Sequence, residues 1–143
     1  MCRKFKRICC FLLTLSLASI LALPAFASET ASHYFSYTDF VAIANGDGSF
    51  VVEFDINATH TMQEVGAKEI KIWEQQSDGT YENVRTYTRH NTSGLIRQNT
   101  AFGYGTLTYA GTSGTKYYAT AALYAKDANG DETLYAMTRT ITA

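Results

Sequence analysis

The sequence predicts an all-β domain, an antiparallel β-sandwich of about seven short strands that follows a signal-peptide segment. Three observations lead to this fold class. Apolar residues alternate with polar ones over 50–57, which is the period of a half-buried strand. Turn-forming pairs such as Asn-Gly and Asp-Gly recur between the apolar stretches. Pro24 is the only proline, so no later proline interrupts a sheet.

The first 27 residues have the pattern of a secretory signal peptide. Basic residues at 3–7 precede an apolar run over 8–23, and the sequence Ala-Phe-Ala at 25–27 provides the small residues of a cleavage site. The apolar run is shorter than the ~20 residues that span a bilayer, so we do not expect a membrane anchor. We expect cleavage after Ala27 and a secreted domain of residues 28–143 that does not insert stably into a membrane.

Charge and cysteine content restrict the partners of this domain. The signal segment contains all three cysteines, four of the 12 Lys and Arg residues and none of the 13 Asp and Glu residues. The remaining domain is therefore acidic, with no thiol, and its stability must come from its hydrophobic core. An acidic domain without basic clusters is not expected to bind nucleic acid.

Alternating apolar positions predict the strands, and turn residues predict how they connect. Asn45-Gly46-Asp47-Gly48 joins the first two strands in a hairpin, and the turn 77–79 joins the third and fourth. An Asn-Gly turn within 127–131 joins the last two strands in a second clear hairpin. The predicted strands are 40–44, 50–57, 67–75, 81–89, 104–109, 117–126 and 132–142.

One stretch between the second and third strands departs from this pattern. Thr61-Met62-Gln63-Glu64 has the spacing of a capping box, in which the first and last side chains bond to each other's backbone amides. Gly66 follows at a position that could end a helical turn. We expect a single helical turn here.

The segment that leads into the sixth strand resembles a known corner motif. In fibronectin type III-like domains, a Gly-Thr-x-Tyr run places a buried tyrosine at the start of strand F, and Gly114, Thr115 and Tyr117 match this run. The resemblance implies an immunoglobulin-like sandwich with Tyr117 facing inward, and it implies no activity. It is incomplete, because the tryptophan of that family usually lies on strand B, whereas Trp73 lies on the third predicted strand.

Two longer runs resemble small secreted proteins of unknown function from Gram-positive bacteria. These runs are G-x-K-E-I-K-I-W-E at 66–74 and T-Y-A-G-T-S-G-T-K-Y-Y-A at 108–119. The resemblance implies bacterial export and carries no activity with it.

No catalytic or metal-binding motif stands out. His33, His60 and His90 do not have the spacing of a metal site, and we expect them in loops or at strand ends. The oxygen-rich run 127–132 lacks the spacing of an EF-hand calcium loop, so we expect a solvated turn. We therefore predict no catalytic residue, no metal and no cofactor.

Aromatic residues are the remaining functional signal. If Tyr117 and Ile72 face the core, their neighbours on the same strands face outward. This alternation gives a predicted platform on one exposed sheet face, formed by Trp73, Tyr118, Tyr124, Tyr135, Lys71 and Arg139. Such a surface can stack on sugars or receive a protein partner. Alternatively, these tyrosines simply make favourable cross-strand pairs on a solvated face, or another segment covers them.

We expect a secreted, non-catalytic binding or interaction module, monomeric, whose ligand is an extracellular protein or a glycan. Two narrower alternatives remain open. One is an accessory carbohydrate-binding module, and the other is a structural subunit of an extracellular assembly that pairs through sheet edges. An enzyme is the least favoured class, because no nucleophile, base or metal set is positioned.

Overall fold

The computed structural model describes residues 32–143, which form seven antiparallel β-strands and, within that range, no helix. The all-β, antiparallel prediction is confirmed. The predicted signal peptide and its cleavage site lie outside the described residues. The strands are β1 (Phe35–Ala44), β2 (Ser49–Gln75), β3 (Tyr81–Thr88), β4 (Ile96–Ala110), β5 (Lys116–Lys126), β6 (Asp131–Met137) and β7 (Ile141–Thr142). Within residues 32–143 we find no helix with the length and apolarity needed to cross a membrane.

The 27-residue strand β2 connects all parts of the sheet. Its first half pairs with β1 on one side and β4 on the other, and its second half pairs with β3 and β5. β6 and β7 both pair with β5, which completes a single seven-stranded sheet. The two layers predicted for a sandwich are thus joined through β2 into one continuous sheet.

The predicted helical turn at 61–64 is wrong, because these residues belong to β2. Met62 is fully buried and pairs with Thr100 of β4, so burial in the sheet overrides the local capping pattern. The Glu64 carboxylate, expected to cap a helix, instead accepts a 2.7 Å hydrogen bond from Arg89.

Gly66 allows the chain before β4 to approach β2 closely. A Cβ atom at this position would lie 2.0 Å from the carbonyl oxygen of Leu95, and its φ of +150° is one that other residues rarely adopt. The same carbonyl oxygen accepts a 2.8 Å hydrogen bond from the Ala67 amide. Gly66 is therefore required by the sheet, not by the end of a helix.

The sheet curls so that its two halves enclose one hydrophobic core. Phe50, Val52, Phe54 and Ile56 from the first half of β2 form one core cluster with buried residues of the second half and of β5. The rings of Phe50 and Tyr117, which lie in different halves, are 5.1 Å apart between centroids. The alternation in the sequence therefore identified the core side of β2 correctly.

Tyr117 occupies the predicted inward position at the start of β5. It is fully buried, and its hydroxyl accepts a 2.9 Å hydrogen bond from the Thr112 amide and donates one of 3.0 Å to Oε2 of Glu74. A Cβ on Gly111 would lie 3.0 Å from the Tyr117 ring, so the corner wraps tightly around the tyrosine. The backbone hydrogen bond is the feature that the corner resemblance implies.

Several strand boundaries differ from the prediction. β1 begins at Phe35 instead of Phe40, and β4 begins at Ile96 instead of Tyr104. The prediction missed these extensions because their residues are largely exposed and show no clear alternation. The last predicted strand is divided into β6 and β7. At the division Thr138 is buried, and its hydroxyl accepts from the Ala119 amide at 3.0 Å and donates to the Arg139 carbonyl at 2.9 Å.

Candidate functional site

The outer face of β2, β5 and β6 carries a stacked pair of aromatic rings. Trp73 and Tyr118 are paired across β2 and β5, and their rings are nearly parallel, at 8°, with centroids 5.8 Å apart. The Trp73 indole nitrogen donates a 3.0 Å hydrogen bond to Oγ1 of Thr120. Both rings face away from the core, as predicted, but each is half-buried because it covers the other.

Tyr81 belongs to the same aromatic cluster as Trp73 and Tyr118, and it was not predicted from the sequence. Its ring meets Tyr118 edge to face, at 4.9 Å between centroids. The register pairs Tyr81 with Gln75, which lies on the same face of β2 as Trp73. The turn at 77–79 fixes that register, so counting outward from the turn is the signal that would have identified Tyr81.

A shallow groove of about 330 Å³ runs from Trp73 towards the edge strand β6. Thr120 and Ala122 form its floor, because small side chains on β5 leave space between the larger ones on either side. Tyr135 and Met137 form the far wall and are 82% and 68% exposed. We call this feature the aromatic groove; its lining side chains include Glu69, Lys71, Trp73, Thr120, Ala122, Tyr135 and Met137.

Tyr124 is a correction to the predicted platform, because it is only 5% exposed. The Lys68 ammonium lies 3.6 Å from the centroid of its ring, and the Arg89 guanidinium lies 5.9 Å from it. A register shift between Ala67 and Glu69 inserts Lys68 as an extra residue over this position. Burial raises the pKa of the Tyr124 hydroxyl, and the side chain is not free to meet a ligand.

Lys71 and Arg139 are the two basic residues of the predicted platform, and they occupy different positions. Lys71 lines the aromatic groove, where its ammonium lies 2.8 Å from the carboxylate of Glu69. Arg139 is exposed in the segment between β6 and β7 and does not line the groove. The structure thus brings Trp73, Tyr118, Tyr135 and Lys71 onto one surface, and it separates Tyr124 and Arg139 from them.

A polar cluster at the turn between β5 and β6, separate from the aromatic groove, was not predicted. Asp127 is buried, and its Oδ1 accepts from the amides of Asn129 and Gly130 at 2.7 and 3.0 Å. Its Oδ2 lies 3.0 Å from Nε2 of His60, and the Tyr34 hydroxyl donates to Oδ1 at 3.4 Å. The carboxylate therefore holds the turn, β2 and the segment before β1 together.

The hydrogen bonds to Asp127 hold its carboxylate in the charged form. Donation from the Asn129 amide is the main cause, with further contributions from His60 and Gly130, and together they lower the pKa of Asp127 to about 2 although burial opposes them. The turn was expected to be solvated, and its first carboxylate is instead a buried structural group.

The polar cluster includes three side chains in sequential contact, as in a hydroxyl–imidazole–carboxylate triad: Thr59, His60 and Asp127. Nδ1 of His60 lies 3.0 Å from Oγ1 of Thr59, and that hydroxyl donates a 2.7 Å hydrogen bond to the carbonyl oxygen of His33. The Thr59 hydroxyl has a single proton, and the bond to His33 occupies it. A nucleophile would have to direct that proton to the imidazole ring instead. In the described geometry, the three side chains connect β2 to the segment before β1 and to the β5–β6 turn.

Within residues 32–143, no group of three or more His, Cys, Asp and Glu side chains is placed to hold a metal ion. His33 and His60 are near each other, with ring centroids 6.4 Å apart, but their neighbours are the hydroxyl, carbonyl and carboxylate groups described above.

Comparison of the chain with protein-family models finds no matching family, and comparison with curated proteins finds no significant relative.

Proposed function

We propose that the chain is an exported, non-catalytic interaction module that binds an extracellular protein partner through the aromatic groove. The observation that carries this proposal is the pair of highly exposed side chains, Tyr135 and Met137, beside a preformed groove whose opposite wall is Trp73. Tyr and Met are enriched at protein interfaces, and monomeric proteins rarely expose such groups together without use.

The shape of the groove favours a peptide side chain over a sugar ring. A sugar stacks on a flat, open aromatic face, whereas Trp73 is half-buried against Tyr118 and its indole nitrogen is already bonded to Thr120. The small residues of the floor leave room for an apolar side chain. Lys71 and Glu69 at the rim, which bond to each other, can exchange that bond for polar groups of the partner.

One observation favours the alternative, a carbohydrate-binding module. The Tyr135 ring is 82% exposed on the outer face, so a glycan could stack on it alone without entering the groove.

We also infer that the fold is fibronectin type III-like. The corner tyrosine with its hydrogen bond to Thr112 supports this, and so does the order of neighbouring strands, β1–β2–β4 in one half and β3–β2–β5–β6 in the other.

Export is inferred from the segment 1–27 alone. A mature N-terminus at Ser28 in the culture medium is the expected finding, and uncleaved chain in the membrane fraction would contradict it.

Selection of a phage-displayed random peptide library on residues 28–143 tests the binding proposal, with a glycan array in parallel. We expect enriched peptides with an apolar anchor, and we expect Met137→Ser and Trp73→Ala to weaken their binding at least about tenfold. Val84→Ser is the matched control, because Val84 is an exposed apolar residue of β3 that does not line the groove.

Two outcomes would contradict the proposal. Peptides that bind equally well to the groove variants would place the interaction elsewhere. Glycan binding that requires Tyr135, without any peptide enrichment, would establish the carbohydrate-binding alternative in its place.

A further inference from the structure

β6 differs from the other edge strands of the described region. The pairings leave β1, β3, β4, β6 and β7 each with only one partner strand, and β7, with two residues, is too short to offer an edge. β1 and β3 contain register shifts, and β4 has both a register shift and a residue of positive φ, Asn99. Such irregularities protect an edge from pairing with another chain. The register of β6 is unbroken from Asp131 to Met137, and the strand contains no Lys, Arg or Pro.

The free edge of β6 presents the backbone groups of alternate residues. The Asp127 amide bonds to the Gly130 carbonyl, and the Thr138 amide bonds to the Ala119 carbonyl, so the even-numbered residues of β6 direct their backbone groups towards β5. The amides and carbonyls of the odd-numbered residues therefore point away from the sheet. These residues are Asp131, Thr133, Tyr135 and Met137.

The charges near this edge favour one particular partner, a second copy of the same chain. In an antiparallel pairing of β6 with itself, outward-facing residues must meet outward-facing residues. The register centred on Tyr135 is the one that sets Asp131 of each copy opposite Arg139 of the other. The Asp131 side chain is 51% exposed and lies 3.8 Å from Lys68, and Arg139 is exposed and has no ion pair within residues 32–143.

We propose that two copies of the chain pair antiparallel along β6, about a two-fold axis at Tyr135, to form one sheet that continues across both copies. Tyr135 then meets its own counterpart, and Thr133 meets Met137, on the outer face. This arrangement shields the sides of Tyr135 and Met137 that face away from β5, and it leaves open the sides that line the aromatic groove. It also places the two aromatic grooves side by side, and it departs from the monomer expected from the sequence.

The pairing does not depend on any ligand in the aromatic groove, because backbone groups and the pair Asp131–Arg139 carry it. Sedimentation velocity of residues 28–143, from about 1 to about 500 µM, measures the self-association. Arg139→Asp sets two carboxylates opposite each other at both ends of the interface, and we expect it to weaken the dimer at least about tenfold. The double variant Asp131→Arg/Arg139→Asp restores the opposite charges, and we expect affinity within about threefold of the unchanged chain.

Trp73→Ala is the control that separates this proposal from the proposed function. It removes the inner wall of the groove but lies away from β6, so it should leave the self-association unchanged. Thermal unfolding of each variant shows whether the domain is intact. A chain that stays monomeric over the whole concentration range would overturn the pairing. A double variant that associates no better than Arg139→Asp would also overturn it, because the register would then not bring residues 131 and 139 together.

Discussion

Single side chains in this domain connect elements that are distant in sequence. The Tyr117 hydroxyl joins the segment before β5 to β2, through Thr112 and Glu74. The neighbouring Tyr118 contributes only ring contacts, with Trp73 and Tyr81. Two adjacent tyrosines thus have different roles, and strand alternation decides which one is buried.

Removal of each hydroxyl separates these two roles. We expect Tyr117→Phe to lower the free energy of unfolding by about 1–3 kcal/mol, because it leaves the Thr112 amide and the Glu74 carboxylate without their partner. Tyr118→Phe should cost less than about 0.5 kcal/mol, since its hydroxyl has no hydrogen bond within the described residues. Urea denaturation of both variants measures the difference. The reverse order would show that the strand is shifted by one residue.

At the level of the strands, local sequence predicted the core of each element but not the long-range contacts. The hairpin at 127–131 and the inward side of β2 follow from turn residues and alternation alone. The burial of Tyr124 depends on the extra residue Lys68 in β2, and the tie at His60 depends on a carboxylate 67 residues further along the chain. Neither of these two long-range contacts can be predicted from the local sequence. Tyr124 was for this reason predicted to be exposed on the platform, whereas it is buried.

The close approach of Leu95 to β2 gives a test at this level. We expect Gly66→Ala to destabilise the domain by about 2–4 kcal/mol, because the added Cβ overlaps the Leu95 carbonyl and the backbone is strained. Gly79→Ala is the matched control. It also has a positive φ, of +87°, but faces open space, so it should cost only about 1–2 kcal/mol. Equal melting temperatures for the two variants would show that β2 and Leu95 can separate without cost.

Across the whole domain, one carboxylate links three parts of the chain. Asp127 holds the β5–β6 turn, His60 in the middle of β2 and Tyr34 ahead of β1. A charged group in such a position makes the stability of the entire domain dependent on pH, since no disulfide in residues 28–143 can compensate for its loss.

Acid titration tests this role of Asp127. Its pKa is about 2 in the folded domain against 3.8 for a free carboxyl group, so the unfolded chain takes up the proton first as the pH falls. The stabilisation is therefore complete above about pH 4 and is lost as the pH approaches 2. We expect Asp127→Asn to be less stable than the unchanged chain at pH 6, and the difference in melting temperature to shrink towards pH 2. A constant difference over this range would contradict the assignment.

The shared strand β2 also determines how the domain comes apart. Both halves of the sheet share β2 and contribute side chains to the same hydrophobic core, so the loss of either half would expose the core side chains of the other to water. We therefore expect partial opening to be confined to the edges, and the interior amides of both halves to exchange with solvent deuterium only when residues 32–143 unfold together. A protein built this way presents proteases with a single cooperative unit in place of two separable ones.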